Sequence, residues 1–74
     1  MRNIVGARIR EARYRLGQKV TQEQLAARLQ TLGLDLDRTA ISKIEAGKRP
    51  VTDREIVGIC KALGIKVARL FGEE

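Results

Sequence analysis

The sequence of 74 residues has no histidine, no tryptophan, one cysteine and one proline. With Cys60 alone, no intramolecular disulfide can form. One thiol without any imidazole also leaves a zinc site short of soft ligands, so no metal is expected. The lack of histidine removes the commonest general base, and there is neither a glycine-rich phosphate loop nor a nucleophile-base pair. No catalytic residues, no cofactor and no small-molecule ligand are therefore expected. Long apolar runs are missing as well, because Arg8, Arg10 and Arg13 interrupt the N-terminal segment before one develops. That excludes a signal peptide or membrane span and points to a reducing cytoplasm. Aromatics are only 3% and β-branched runs are few, which favours an all-α fold over a sheet.

What the chain has in surplus is positive charge. Its 15 Lys and Arg against 9 Asp and Glu give +6 at pH 7, for which a polyanion is the default partner. The surplus is concentrated: residues 1–19 carry six basic side chains against one acid, and residues 37–49 carry four against two. The length suits one small domain with a marginal core, so residues 1–74 are read as a single unit.

Along the chain, Val5, Ile9, Ala12 and Leu16 recur at the spacing of one helical stripe, flanked by Arg8, Arg10 and Arg15. Those arginines fit either a solvated face or a basic contact surface. Gly17 to Val20 reads as a loop. Thr21-Gln22-Glu23-Gln24 matches a capping box ahead of Leu25, Leu29 and Leu32, and Gly33 is placed to close that helix with Leu34 folding back on Leu29. Thr52-Asp53-Arg54-Glu55 is a second capping box, before Ile56, Ile59, Cys60 and Leu63. Cys60 thus falls on an apolar edge and reads as core, the alternative being a reactive thiol in an exposed, electropositive setting. Gly64 closes the fourth helix, and Val67, Leu70 and Phe71 form the apolar edge of a last short one.

Between these lies Asp37 to Arg49, DRTAISKIEAGKR, read as the part that touches DNA. Asp37 suits an N-cap, Gly47 a C′ position, and Pro50 follows, so a helix is expected over about 38–46. At about 100° per residue, Ile41, Ile44 and Glu45 share one side, Thr39, Ser42, Lys43 and Ala46 share the opposite side, and Arg38 projects from the first turn. So short a helix must be held by the rest of the chain, with its outer side free to read something.

Three segments, TQEQLA (21–26), ISKIEAGKR (41–49) and ALGIKVARLF (62–71), with an Arg-rich first helix, resemble the phage repressor and Cro-type, or XRE-type, helix-turn-helix regulators. The resemblance implies a compact bundle of five short helices, lambda repressor-like, whose second and third helices form the DNA-binding motif. Ala26 would sit where those two pack closely and only a small side chain fits. By the same resemblance the first residues of the third helix enter the major groove. Arg38 and Lys43 would suit guanine O6 and N7, Thr39 a thymine methyl, and Ser42 lies beside them. Gln22 would hold a phosphate at the start of the second helix, and Lys48 and Arg49 would clamp phosphates after the third, or else form an ordinary solvated loop.

The chain departs from the family pattern in three places. The path from Ala26 to Ser42 is about five residues longer than in the compact phage members, so the second helix is longer or the turn enlarged. Lys66 stands where a Ser or Thr N-cap is common, and Ala46 where an Asn is frequent. Glu45, the charge on the inward side of the third helix, must find a cation or be protonated. The family pairs that glutamate with an arginine of the first helix, here Arg13; the bland alternative is two unrelated surface charges. The expected function is sequence-specific binding of double-stranded DNA as a transcriptional repressor or controller, as a homodimer because one short helix reads few base pairs. The competing reading is an antitoxin-like or adaptor module that keeps the fold but binds a partner protein.

Overall fold

The computed structural model describes residues 4–15 and 19–71. Within them the backbone forms α1 (Ile4–Arg13), α2 (Gln22–Thr31), α3 (Arg38–Glu45), α4 (Asp53–Leu63) and α5 (Val67–Leu70), and no strand. Leu16 and the Gly17 end of the expected loop lie outside the described residues. Among those described, no helix is long and apolar enough to cross a membrane.

The helix starts follow from local chemistry. Thr21 Oγ1 accepts the Gln24 N–H at 3.0 Å while Gln24 Oε1 accepts the Thr21 N–H at 2.9 Å. Thr52 and Glu55 repeat this box at 3.2 and 3.0 Å. Each satisfies two N–H groups at a helix start, where no intrahelical acceptor exists. Lys66 occupies the N-cap of α5 with no side-chain cap bond, so that helix begins without this support and runs for only four residues.

The ends are equally local. Leu34 N–H reaches the Leu29 carbonyl at 2.9 Å and Gly33 N–H the Gln30 carbonyl at 3.0 Å, a Schellman closure around Gly33 at φ +79°. α3 and α4 close in the same manner, with Lys48 N–H on the Lys43 carbonyl and Ile65 N–H on that of Cys60.

One core gathers Val5 and Ile9 of α1, Leu25 and Leu29 of α2, Ile41 and Ile44 of α3, Ile56, Ile59 and Cys60 of α4, and Leu70 of α5. Burial pushes the Cys60 thiol above its ordinary value, as expected for a small core residue rather than a reactive one. The lengthened path between α2 and α3 is a packed connection. Its Leu34 and Leu36 are both buried, so residues 32–37 are fixed to the body rather than looping out.

One finding corrects the sequence reading, and another adds to it. Of the apolar edge expected for α5, only Leu70 turns inward, while Val67 and Phe71 remain 40% and 43% exposed. A close interhelix approach that the periodicity passes over falls on Gly6. A Cβ there would run into the Ile44 carbonyl, so α1 lies directly on the α3 backbone. Ala26 is half-buried against the core.

Candidate nucleic-acid interface

α3 is set by its first and last residues. Asp37 Oδ1 accepts the Ala40 N–H at 2.8 Å, and Gly47 ends the helix at φ +75°. Between them Ile41 and Ile44 are each 1% exposed, whereas Arg38, Thr39, Ser42, Lys43 and Ala46 face solvent. Burying two isoleucines contributes about 1.5–3 kcal/mol each, enough to dock a helix that could not persist alone in water. The outer side of the docked helix is thereby left polar and basic.

The inward carboxylate has its cation. Arg13 Nε donates to Glu45 Oε2 at 2.7 Å and Nη2 to Oε1 at 2.8 Å, with both side chains 5% exposed. Two parallel charge-assisted bonds of this kind fix orientation as well as distance. Glu45 in turn holds the Arg13 guanidinium above its already high ordinary pKa. Arg13 Nη1 also donates to the Val20 carbonyl at 3.0 Å, and the Val20 N–H returns to the Arg13 carbonyl at 2.9 Å. A further partner was not evident in the sequence: Gln22 Nε2 donates to Glu45 Oε1 at 3.1 Å. α3 is therefore tied through one carboxylate to both α1 and α2.

A concavity opens between the end of α1, the start of α2 and α3. Gln22, Arg38 and Ser42 line it, together with Arg10, Tyr14 and Lys19. The centroid of the Tyr14 ring lies 5.1 Å from the Arg13 guanidinium carbon and 5.9 Å from Lys19 Nζ, so two cations sit against the ring. The structure thus brings part of the expected base-reading set beside Gln22 and adds Arg10 and Lys19 to the basic wall. Their position could be anticipated only as far as the basic surplus of residues 1–19.

Beyond α3, Lys48 is exposed, but Arg49 is engaged. Its Nη1 and Nη2 meet the two carboxylate oxygens of Glu55 at 3.1 Å each, and Nη1 also reaches the Pro50 carbonyl at 2.9 Å. This contact holds the Glu55 carboxyl below its usual range and raises Arg49. Arg49 was expected as a phosphate clamp. Its fork also fastens the turn after α3 to the capping box of α4, because Glu55 offers a fixed carboxylate within reach.

A family model described as Helix-turn-helix matches residues 12–70, most of the chain and all of α2, α3 and α4. The chain belongs to that helix-turn-helix family. The fold is also similar to a solved structure, the restriction-modification controller protein C.AhdI from Aeromonas hydrophila. The two share 36% sequence identity over 90% of this chain and 87% of that one, with a TM-score of 0.75. No curated protein sequence matches. The family, the five-helix bundle and the exposed α3 together make this an XRE-type DNA-binding transcriptional regulator.

Proposed function

We propose that residues 1–74 act as one sequence-specific unit on double-stranded DNA, a repressor or controller that binds as a homodimer and reads the major groove with α3. The observation that carries this reading is the division of α3. Ile41, Ile44 and Glu45 fasten its inward side to the body, and Arg38, Thr39, Ser42 and Lys43 stand outward on the docked helix. Pre-set geometry is what base reading needs, since an edge-on bidentate contact tolerates little misplacement. The controller protein similar in fold supports a regulatory role.

In this assignment Arg38 and Lys43 meet guanine edges, Thr39 a thymine methyl, and Ser42 either kind of base. Lys48 holds a phosphate, and Gln22 faces another where the first N–H groups of α2 favour an anion. Arg49 supports Lys48 by fixing its turn. One such helix spans too few base pairs, so two copies bind, and the exposed Val57 of α4, Val67 of α5 and Phe71 just after it offer apolar surface for a second copy.

Selection of sites from a random duplex library, followed by binding measurements across salt, tests the reading. Arg38→Ala should cost roughly 1–3 kcal/mol on the selected site and relax choice at one base pair. Lys48→Ala should weaken good and poor sites alike and lower the salt slope by roughly one. Equal loss of sequence preference in both variants would refute the division of roles. Negligible salt-dependent binding to random DNA would favour the protein-adaptor reading instead.

A further inference from the structure

Resting on the DNA reading above, we propose that Gln22 is a positioning residue that sets the tilt of α3, rather than solely a phosphate holder. The contact that matters is built on the Arg13–Glu45 pair. Its two bonds, at 2.7 and 2.8 Å, attach the end of α3 to α1 through a flat, forked contact. A planar fork fixes a carboxylate in its own plane but leaves rotation about the axis joining the two groups comparatively soft. A third donor from a different direction removes that freedom.

Gln22 supplies it. Its Nε2 donates to Glu45 Oε1 at 3.1 Å, and among the described residues this is the hydrogen bond that joins α2 to α3. The Glu45 side chain is 5% exposed, so the contact is largely desolvated and stiffer than the same bond in water. Gln22 is also the first residue of α2, and it lines the concavity that Arg38 and Ser42 share. Its amide carries a second N–H and a carbonyl oxygen beyond the group donated to Glu45. One side chain thus joins the anion-facing start of α2 to the last turn of the reading helix. Seating a phosphate there and aiming Arg38 become parts of a single event.

The test uses Gln22→Met, which keeps side-chain length and apolar bulk but removes both N–H groups and the carbonyl. Affinities are measured for the selected duplex and for a duplex altered at the base pair that Arg38→Ala identifies. Positioning predicts that the ratio of the two falls about two- to tenfold, the range a single hydrogen bond supports, while the salt slope holds. Equal losses on both duplexes with the ratio intact would make Gln22 a phosphate contact only and overturn the proposal.

A second arm needs no DNA. In the free protein, residual dipolar couplings of the α3 amides in Gln22→Met should no longer fit the alignment tensor that fits α2; an unchanged joint fit overturns the proposal. Urea unfolding should show the variant folded with a midpoint near that of the parent. Loss of folding would overturn it too, making Gln22 part of what holds the fold. Should the parent chain show no base preference at all, the DNA reading fails, and the dipolar couplings alone decide the role of Gln22.

Discussion

Removing either member of the Arg13–Glu45 pair should take away a large share of the stability, and the two deletions should not be equal. A size-based expectation for total stability is about 4–11 kcal/mol, and breaking a buried pair by deleting one partner costs about 3–5 kcal/mol. Both side chains are 5% exposed, so little of that cost is screened by water. Arg13→Ala leaves Glu45 with only the Gln22 donor and strips the Val20 carbonyl of its side-chain partner. It also removes a buried stem, so its cost should approach 5 kcal/mol.

Glu45→Ala strands the guanidinium beside the open concavity that Arg13 lines, where a flexible stem can turn the charged end to water. Its cost should lie nearer 3 kcal/mol. The double replacement should cost clearly less than the sum of the singles, because no charge is left stranded, with a coupling of roughly 1–3 kcal/mol. Arg13→Lys, which keeps the charge but loses the fork, should fall between parent and Arg13→Ala. Urea unfolding at low temperature measures all four variants. Additive losses below about 1 kcal/mol would show that the pair does not hold α3, since exposed ion pairs contribute no more than that.

Three further outcomes follow from the same contacts. Gly6→Ala places a Cβ against the Ile44 carbonyl, backbone that cannot rotate aside, and should destabilise by about 1–3 kcal/mol in thermal or urea unfolding; a neutral change would refute the close approach of α1 to α3. The Glu55 carboxyl sits below its ordinary value of 4.5, chiefly through its bond to Arg49. The stability it contributes is therefore complete above that value and lost as pH falls through the lowered one, so Glu55→Gln should flatten the acid side of the stability profile, and an unchanged acid limb would refute the pairing. For the proposed homodimer, footprinting at saturation should protect two half-sites about one helical turn apart, and protection of a single half-site would count against two-fold binding.

Most of the fold could be read in the sequence because most of its signals are local. The two capping boxes, Asp37 before α3, and Gly33, Gly47 and Gly64 after their helices act within a few residues of themselves. Spacing alone therefore places the boundaries of α2, α3 and α4. The inward stripe of α4 is legible for the same reason. α5 is where this fails: Val67, Leu70 and Phe71 satisfy a helical period, yet a four-residue helix turns only Leu70 to the core. Period predicts which residues share a face, not how much of that face finds a partner.

The candidate site was legible in its residues more than in its connections. The outward set Arg38, Thr39, Ser42 and Lys43 needs only the helical period and the two inward isoleucines. By contrast Gln22 meets Glu45 across 23 positions, and a glutamine at the start of a helix gives no sign of which distant carboxylate it will meet. Arg49 shows that a nearer contact can be missed as well. Glu55 is legible as the third residue of a capping box, and that role hides its second use, since a carboxylate has acceptor capacity beyond the single Thr52 N–H. The leftover capacity captures the first cation that the Pro50 turn brings near. A basic residue just after α3 thus holds a protein carboxylate as well when a capping glutamate follows within a turn or two. Here it leaves Lys48 as the cation of that pair turned to solvent.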